Sequence, residues 1–549
     1  MANLKYIFIS GGVISGIGKG ITSASISLLL KSGGYTVAPI KFEGYLNIDA
    51  GTINPIEHGD PFLCEDGTEA DMDIGSYEKF LNEDMGRDNF VTMGQIYQRI
   101  IERERRFEYN GEDVEAIHIT DEIIDRINKL ARKSQANIVV VELGGTAGEY
   151  WNVFYYEAAR MLALKNPGDV IHVHVSYVPN PPHLGEPKTK PTQLSVRTLN
   201  SMGIQPDFIV ARSELVLDQR RKDRFALFCN MHPEDIISNP DLPSIYEIPL
   251  VLHKQGLDGR ILKKLRLPPS KKIDLTGWEK LVAKIKAKKS RTVEIAIVGK
   301  YFGTGEYQLR DSYAALFDAI DHAATYHNIA VKTRWIDAEK VERYGPNIIA
   351  KPDGIIVPIG WGERGAEGMI NTANYARIAK IPYLGLCYGM QLAVVAFARN
   401  ALGWPDANTE ENDKKTKHNV IHLMPAQSAI MKRRAYGGTM RLGHWDAIVK
   451  KGTLAGSLYD TYNGYLNKKS GLTSERHRHR YEFNDEFVRE FEKNGLIISA
   501  RSSIERLAEI IELSPSLHPF YLGTQGHPEY KSRPLRPHPI FLGFLKACT

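Results

Sequence analysis

The sequence predicts an α/β protein of two domains, and three observations support this. Short apolar runs rich in β-branched residues recur between helical patterns, which is typical of parallel strands buried on both faces. A glycine-rich loop follows the first run, and a second series of runs begins after a segment rich in proline and lysine. The length of 549 residues is about three or four times the commonest domain size.

The composition argues against several classes of protein. A balance of 70 basic against 65 acidic residues gives a net charge of +5, too small to indicate a nucleic-acid or membrane-surface partner. The N-terminus lacks a signal-peptide pattern, and no apolar stretch is long enough to span a bilayer. The cysteines lack metal-ligand spacing, which favours a reducing compartment; they are Cys64, Cys229, Cys387 and Cys548. We therefore expect a soluble, cytoplasmic protein.

The first apolar run, Tyr6–Ile9, leads into the loop SGGVISGIGKG, and a helix-like pattern, Ile21–Lys31, follows it. Glycines let backbone N–H groups converge on an anion, the helix dipole attracts it, and Lys19 neutralises its charge. This pattern predicts a phosphate-binding loop, the alternative being a glycine-rich turn at a strand end. Gly20 stands where the usual loop has a hydroxyl for Mg²⁺, so we expect carboxylates from elsewhere to hold the metal.

Polar residues follow several further apolar runs of the first half. The predicted strands are Thr36–Ile40, Ile138–Val141, Val170–Val175 and Phe208–Val210. Ligands of parallel sheets bind beyond the strand ends, where the sequence places Lys41, Glu43, Glu142 and Arg212. Glu142 is a candidate Mg²⁺ ligand because a carboxylate at the end of a buried run is costly without a partner. The acidic cluster Glu65–Asp73 is a second candidate, and a solvated acidic loop is an equally favoured interpretation of it.

Two later segments complete the first half. Gly185–Gln193 holds two lysines and several hydroxyls between prolines, a weak indication of a second site for a polyanion. Residues 267–291 change to prolines and then to a lysine-rich helix, whose basic run we interpret as a solvated face. This segment is the predicted linker between a domain of residues 1–266 and a domain of residues 292–549.

The second half predicts a cysteine nucleophile. Its apolar runs are Val293–Gly299, Ile355–Val357 and Tyr383–Leu386. The last run leads into Gly-Leu-Cys387-Tyr-Gly, a nucleophile elbow with cysteine in the serine position and a helix directly after it. His527 and Glu529 are candidates for the base and the acid that orients it, and Gly360 for an oxyanion donor. The alternatives are a buried structural cysteine and a surface histidine.

The run Arg476-His477-Arg478-His479-Arg480 contains histidines, yet its three arginines would repel a metal cation. We interpret it as a clamp for an anion or a carboxylate.

Together these motifs resemble the CTP synthase family over almost the whole chain. The resemblance rests on SGGVISGIGKG, EDGTEADMDIG, VELGGTAG, KTKPTQLSV, GIQPDFIVARS, ALFCN, GLCYGMQLAVV, GGTMRLG, ERHRHRYEFN and HPEY. It implies a synthetase domain that uses ATP to phosphorylate uracil O4 of UTP before ammonia displaces the phosphate. It also implies a class I glutamine amidotransferase domain that makes the ammonia, which reaches the first site through an internal tunnel.

The resemblance implies roles for particular residues. It places Ser15, Gly16, Gly18, Lys19, Gly20, Lys41 and Arg212 on ATP, and Asp73 and Glu142 on Mg²⁺. It places Ser15, Lys188, Lys190, Gln193 and Arg224 on UTP, and Glu149, Tyr150 and Trp151 at the site of CTP feedback. It makes Cys387 the nucleophile, His527 its base, Glu529 the orienting acid and Gly360 the oxyanion residue, with Gln391, Glu411 and Arg480 on glutamine. It further implies activation by GTP and a homotetramer.

Several segments depart from the family pattern near the expected nucleotide sites. Glu43 replaces the aspartate of Lys-x-Asp-Pro-Tyr, the segment at Glu115 is one residue short, and Trp151 stands where the second acid of Gly-Asp-Ile-Glu-Ser is expected. We therefore predict weak CTP inhibition or a base stacked on an aromatic ring, the alternative being that Glu115 takes over recognition. Two rival functions remain: an amidoligase for another acceptor, and a silent, filament-building paralogue, which the intact reactive residues argue against.

Overall fold

The computed structural model describes residues 4–54, 59–270, 272–304, 307–308, 310–433 and 436–549. The chain divides into two compact units. The N-terminal unit comprises Met1–Ile48 and Asp73–Ala283, and the C-terminal unit comprises Asp49–Met72 and Lys284–Thr549. Each unit has its own sheet and apolar core, which confirms the predicted α/β class. No helix within the described ranges is both long and apolar enough to cross a membrane.

The strands, in chain order, are β1 (Lys5–Gly12), β2 (Val37–Glu43), β3 (Phe62–Leu63), β4 (Glu69–Ala70), β5 (Phe90–Thr92), β6 (Ile138–Leu143), β7 (Val170–Tyr177), β8 (Phe208–Ser213), β9 (Ile236–Pro240), β10 (Thr292–Gly299), β11 (Gly303–Thr304), β12 (Tyr307–Gln308), β13 (Ala330–Asp337), β14 (Gly354–Val357), β15 (Tyr383–Leu386), β16 (Asn408–Thr409), β17 (Asn419–Leu423), β18 (Arg441–Val449), β19 (Leu472–His479), β20 (Tyr481–Phe483), β21 (Leu496–Ser502), β22 (Ala508–Leu513) and β23 (Tyr521–Thr524). The helices are α1 (Lys19–Ser32), α2 (Met72–Leu81), α3 (Met93–Arg105), α4 (Ala116–Ser134), α5 (Val153–Lys165), α6 (Lys190–Ser201), α7 (Gln219–Cys229), α8 (Ile248–Lys254), α9 (Leu257–Lys264), α10 (Thr276–Lys286), α11 (Ala314–His327), α12 (Ala338–Tyr344), α13 (Ala366–Ala379), α14 (Tyr388–Asn400), α15 (Ser428–Lys432), α16 (Leu454–Thr461), α17 (Val488–Lys493), α18 (Pro528–Lys531) and α19 (Pro539–Ala547).

The N-terminal unit is built on a seven-stranded sheet in the order β5-β2-β6-β1-β7-β8-β9, with every neighbouring pair parallel. All five strands predicted from apolar runs in this half are present. β1 and β6 are buried along their whole length, as continuous apolar runs predict. The register pairs Glu142 of β6 with Lys41 of β2, so two predicted site residues lie side by side near the carboxyl edge of the sheet.

The C-terminal unit is built on a nine-stranded sheet in the order β13-β10-β14-β15-β23-β22-β21-β18-β19. The strands from β13 to β23 are parallel, and those from β23 to β19 are antiparallel. Cys387 follows β15 directly, and β15 neighbours β23, which leads towards His527. The predicted nucleophile and base therefore emerge from adjacent strands.

The segment Asp49–Met72 belongs to the C-terminal unit, although it lies within the predicted N-terminal domain. It carries the hairpin of β3 and β4. Two arginines of β19 bind it: Arg476 Nε donates to Glu65 Oε2 at 2.8 Å, and Arg478 Nε donates to Glu69 Oε1 at 2.6 Å. Two of the three arginines of the predicted clamp thus bind carboxylates of the chain itself. This corrects the interpretation of the acidic cluster, since Glu65 and Glu69 are arginine partners rather than metal ligands or solvated charges.

The segment predicted as a linker, residues 267–291, contains α10. Trp278 of this helix is buried, and its Nε1 donates to the carbonyl of Tyr246 at 2.6 Å. Phe80 packs against the same indole, with ring centroids 5.2 Å apart. The division between the two units falls inside α10, after Ala283. The first turns of the helix therefore belong to the core of the N-terminal unit.

Candidate active sites

The predicted phosphate loop joins β1 to α1. Gly18 precedes the helix with a φ of 87°, a left-handed conformation that favours glycine. The first turn of α1 has neither a side-chain cap nor an acidic residue, so its amide groups can attract an anion. Ser15 and Gly16 are exposed in the loop, whereas Lys19 is buried and its Nζ donates to the carbonyl of Gly145 at 2.7 Å. The loop thus has the form expected of an anion site.

Asp73, in the first turn of α2, packs against the start of α1. A Cβ atom on Gly20 would lie 2.1 Å from Asp73 Oδ1, so a larger residue would displace the carboxylate. The Asp73 carboxylate therefore occupies the space that a hydroxyl-bearing residue at position 20 would need. Lys41 Nζ donates to the same carboxylate. A carboxylate thus lies directly beside Gly20 at the start of α1.

Glu142 ends the run of apolar residues in β6 and is completely buried. The Tyr77 hydroxyl donates to it, and Lys41 Nζ lies 3.6 Å from its Oε1. Burial raises the pKa of Glu142, and the Lys41 ammonium opposes that rise. Lys41 Nζ also lies 3.0 Å from Glu43 Oε1, so this one ammonium group lies close to three carboxylates, those of Glu43, Asp73 and Glu142. An additional positive charge would therefore relieve a local excess of carboxylates.

These carboxylates fit a magnesium ion. Among the described residues none donates a hydrogen bond to the buried Glu142 Oε1, and Lys41 lies close to both Glu142 and Asp73. Mg²⁺ typically takes one or two carboxylates and completes its shell with substrate phosphates and water. No group of three or more His, Cys, Asp or Glu that could hold a metal occurs among the residues that the structure describes. The pair would therefore need nucleotide oxygens to complete a metal site.

Arg212, near the end of β8, lies close to the phosphate loop. Its Nε would be 3.9 Å from a Cβ atom on Gly18. Its Nη1 donates to the carbonyls of Asn239 and Pro240, each at 3.0 Å, and its Nη2 donates to Asp241 at 2.8 Å. The guanidinium is thus fixed beside the loop by contacts within the N-terminal unit.

The residues expected to bind UTP are less closely grouped. Lys190 begins α6, and the buried Gln193 donates to Thr189 Oγ1 at 3.0 Å. The same helix touches the phosphate loop, because a Cβ atom on Gly12 would lie 1.8 Å from Ser195 Oγ. Lys188 precedes the helix and lies 2.7 Å from Glu186 Oε1. Arg224 lies on α7, and within the described residues no hydrogen bond or ion pair joins it to the other candidates.

The segment expected to mediate feedback forms an exposed turn. Glu149 accepts hydrogen bonds from the amide and the hydroxyl of Thr146, both at 2.7 Å. Tyr150 is 93% exposed and Trp151 is 58% exposed. The Glu149 carboxylate thus already accepts hydrogen bonds within its own turn, whereas the rings of Tyr150 and Trp151 are exposed to a ligand.

Cys387 forms a strained elbow between β15 and α14. Its φ of 51° and ψ of −101° are unusual for a residue with a side chain. The flanking glycines permit the turn: a Cβ atom on Gly389 would lie 2.0 Å from the Val357 carbonyl oxygen, and one on Gly385 would lie 2.8 Å from the Gly389 carbonyl carbon. The predicted elbow geometry is therefore present.

His527 and Glu529 form a buried pair beside the thiol. His527 Nδ1 lies 2.7 Å from Glu529 Oε1, and the imidazole is completely buried. Burial lowers the pKa of His527, but Glu529 and Cys387 outweigh it and raise the pKa to about 10. The buried Nε2 has no hydrogen-bond partner among the described residues. The pair thus favours a charged imidazole with one nitrogen left for proton transfer.

A cavity of about 340 Å³ opens at the elbow. Besides His527 and Glu529, five residues are predicted for this centre, and all five line the cavity: Gly360, Cys387, Gln391, Glu411 and Arg480. Its lining comprises Gly360, Trp361, Cys387, Tyr388, Gln391, Glu411, Lys414, Met431, Tyr436, His479, Arg480 and Tyr481. One end of the cavity thus carries the thiol, and its walls carry both an acid and a guanidinium.

The polar residues of this cavity are fixed by neighbours. Burial raises the pKa of Glu411, although the amide of Gly362 donates to its Oε1 at 2.8 Å. Burial lowers the pKa of Arg480, whose Nη2 donates to the Tyr436 carbonyl at 2.8 Å. Gln391 Nε2 donates to the Tyr481 carbonyl at 2.9 Å. A zwitterion with its ammonium towards Glu411 and its carboxylate towards Arg480 would complement these charges.

Sequence reasoning missed two residues of this centre. Gln525 Nε2 lies 3.6 Å from Cys387 Sγ, and Gln525 Oε1 accepts a hydrogen bond from Gln391 Nε2 at 3.2 Å. Lys300 is buried under the loop that contains Gly360. Both residues directly follow apolar strands, so the rule that located Lys41 and Arg212 would have found them.

Both halves of the chain match models of known protein families. Residues 308–547 match the family model described as glutamine amidotransferase class-I, so the C-terminal unit belongs to the thiol amidotransferases that its elbow indicates. Residues 5–267 match the model described as CTP synthase N-terminus. The chain belongs to the CTP synthase family, as relatives aligned over nearly its full length show.

Two of these relatives are named CTP synthase. The protein of Caldanaerobacter subterraneus subsp. tengcongensis is 47% identical over 99% of this chain and 98% of its own. The protein of Pyrococcus furiosus is 48% identical over 99% of this chain and 97% of its own. A solved structure of the CTPS glutaminase domain of Trypanosoma brucei with bound acivicin is 34% identical, covers 47% of this chain and 93% of that chain, and has a TM-score of 0.41.

Proposed function

We propose that the protein forms CTP from UTP by ATP-dependent amination, with glutamine as the nitrogen donor. The observation that carries the proposal is the presence in one chain of a thiol centre and a phosphate loop flanked by carboxylates. The names of the full-length relatives support UTP as the acceptor. In this proposal the synthetase domain is residues 1–266 and the amidotransferase domain is residues 292–549.

At the C-terminal centre, the Cys387 thiolate attacks the side-chain amide carbon of glutamine. His527, held by Glu529, donates a proton to the leaving nitrogen, the C–N bond breaks, and ammonia departs as a thioester forms. Water then attacks the thioester, releasing glutamate and restoring the thiol. The N–H of Gly360 supports the oxyanion of each tetrahedral stage.

The walls of the same cavity orient glutamine. Glu411 binds its α-ammonium group, and Arg480 binds its α-carboxylate. Gln391 lies near the thiol, and its side chain is held by Tyr481 and Gln525. Because the charged groups fix one end of the substrate, its amide carbon is directed to Cys387.

At the N-terminal centre, the residues of the loop bind ATP and place its terminal phosphate beside the acceptor. The amides of residues 16–20 and the cations of Lys19 and Lys41 neutralise the phosphates, with Arg212 beside the loop. Asp73 and Glu142 would hold Mg²⁺, which would supply positive charge that stabilises a transferring phosphoryl group. Transfer to O4 of UTP turns a poor leaving group into phosphate, which ammonia then displaces.

The acceptor site comprises residues of the loop and of the segment that leads into α6 and α7. Ser15, Lys188 and Lys190 supply a hydroxyl and two cations for the triphosphate. Gln193 and Arg224 complete the set that we assign to UTP. Support for these roles comes from the motifs and from the contact of α6 with the phosphate loop.

Regulation and assembly are proposed on the family resemblance. GTP activates the enzyme, CTP inhibits it at a site that includes Glu149, Tyr150 and Trp151, the enzyme forms a homotetramer, and it acts in the cytoplasm.

The test is CTP formation by the purified full-length protein. UTP, ATP and Mg²⁺ are supplied with either glutamine or ammonium, and CTP is quantified by chromatography. Both nitrogen sources should give CTP. Turnover of another carbonyl acceptor in preference to UTP would establish a different amidoligase, and failure with every acceptor would establish a silent paralogue.

A further inference from the structure

Lys300 is a buried cation that the proposed reaction does not use. It follows β10 directly and is only 5% exposed. Its Nζ donates to the carbonyl oxygens of Trp361 at 2.9 Å and Gly362 at 2.5 Å. The ammonium also lies 4.6 Å from the centre of the Tyr388 ring. A lysine is rarely buried without a partner, so the burial of Lys300 indicates that its contacts have a function.

The ammonium is bound mainly by dipoles. No carboxylate lies within ion-pair distance of it in the part of the chain that the structure describes. The more distant charged groups that face it are the carboxylates of Glu411, Glu339 and Glu342 and the guanidinium of Arg364. Burial lowers the pKa of Lys300 to about 8, with the carboxylates opposing and Arg364 adding to that effect. The cation is therefore close to losing its proton at moderately alkaline pH.

The two carbonyls belong to the turn of residues 360–362, which also contains the proposed oxyanion residue. Other groups also bind polar atoms of this turn. The amide of Trp361 donates to the Tyr301 hydroxyl at 3.2 Å, and the Tyr388 hydroxyl donates to the Gly362 carbonyl at 2.9 Å. The amide of Gly362 donates to Glu411, which we assign to the substrate ammonium. The turn thus connects the oxyanion residue to the glutamine site.

We propose that Lys300 is a positioning residue for glutamine hydrolysis, because its ammonium fixes the turn that presents the Gly360 N–H and supports Glu411. The inference rests on the proposed function of the Cys387 centre. Lys300 acts through the turn and does not touch glutamine. Because an oxyanion donor must already point at the developing charge, a turn that moves lowers the rate of hydrolysis more than it weakens substrate binding.

The test compares Lys300→Met and Lys300→Arg with the natural protein. Lys332→Met, which removes an exposed lysine of β13, is the matched control. Glutaminase kcat and KM, ammonium-dependent CTP formation and melting temperature are measured for each. We expect Lys300→Met to lower glutaminase kcat about 10- to 100-fold, since losing one oxyanion donor outright costs about 100- to 1,000-fold. KM should change little, Lys300→Arg should recover part of kcat, and ammonium-dependent synthesis should persist.

Alkylation of the thiol by iodoacetamide gives a second readout. That reaction forms no oxyanion, so its rate at Cys387 should be the same in Lys300→Met and the natural protein. A loss of alkylation, or an equal loss of ammonium-dependent synthesis, would assign Lys300 a general structural role and overturn the proposal. Unchanged glutaminase kcat in Lys300→Met would also overturn it.

The pH profile tests the proposal without relying on a folded Lys300→Met variant. Glutaminase kcat of the natural protein should fall above pH of about 8, as the ammonium loses its charge. Lys300→Arg stays charged, so its kcat should persist to higher pH. Identical profiles would contradict the proposal. If the natural protein hydrolyses no glutamine at any pH, the proposed function itself fails, which is a distinct result.

Discussion

Asp73 fills the space beside Gly20: a Cβ atom at position 20 would lie 2.1 Å from Asp73 Oδ1. The Asp73 carboxylate can lie in this position because Gly20 has no side chain. A residue with a hydroxyl could not be placed at position 20 without moving the Asp73 carboxylate.

Gly20→Ala should therefore lower CTP formation with either nitrogen source, by no more than Asp73→Asn does, because the added methyl group displaces the Asp73 carboxylate. Glutaminase activity should persist, since Cys387 lies in the other unit. The control is Gly259→Ala, where an added Cβ atom meets nothing within 4 Å. CTP formation by Gly20→Ala at the natural rate would show that Asp73 does not need this position.

Asp73→Asn or Glu142→Gln should lower CTP formation with either nitrogen source by on the order of a hundredfold or more, because the proposed magnesium site loses a ligand. Glutaminase activity should survive in both variants. Asp113→Asn, which changes an exposed acid of the same unit, is the control. Near-normal rates with ammonium would remove Asp73 and Glu142 from the metal site.

Cys387→Ala should abolish glutamine-dependent CTP formation and spare the ammonium-dependent reaction, because only the former needs the thiol. Cys229→Ala removes a buried thiol of the N-terminal unit and serves as the control. A comparable loss with both nitrogen sources would contradict the proposed division of labour.

The raised pKa of His527 predicts how stability depends on pH. Burial lowers this pKa and Glu529 and Cys387 raise it, from 6.5 to about 10 overall, so folding favours the protonated imidazole. That contribution to the free energy of unfolding is complete below pH 6.5 and is lost as the pH rises through about 10. Between pH 6.5 and about 10, the melting temperature of Glu529→Gln should therefore fall less than that of the natural protein. The exposed Glu490→Gln is the control, and equal losses in all three proteins would refute the coupling.

The exposed aromatic turn predicts weak feedback. Glu149 already accepts two hydrogen bonds from Thr146, and Trp151 offers a donor where the family has an acid. Losing a hydrogen bond to a charged group costs about 1.5–3 kcal/mol, or roughly ten- to a hundredfold in affinity. CTP should therefore inhibit the natural protein weakly and Trp151→Glu more strongly, measured against UTP. Leu164→Glu adds a surface acid elsewhere as the control; tight inhibition that Trp151→Glu leaves unchanged would disprove the hypothesis.

The strands and the elbow could be predicted because their signals are local. Continuous apolar runs mark buried parallel strands, and Gly-x-Cys-x-Gly encodes the tight turn at Cys387 in five residues. The resemblance supplied Asp73, although the residues alone left the acidic cluster divided between a metal site and a solvated loop. Glu65 could not be assigned locally, because its partner Arg476 lies 411 residues away in the sequence. The position of Lys300 directly after an apolar strand could have marked it as a candidate, but its role could not be predicted because it depends on carbonyls of a distant turn.

The hairpin of β3 and β4 has a consequence for synthesis of the protein on the ribosome. Its carboxylates emerge early, but Arg476 follows Glu65 by 411 residues. At about 5–20 residues per second, translation of that interval takes about 20–80 s. Throughout that time the hairpin lacks the strand that binds it. The C-terminal unit therefore cannot complete its fold in the order in which its residues are synthesised. Its early segment, Asp49–Met72, can bind β19 only after β19 has been translated.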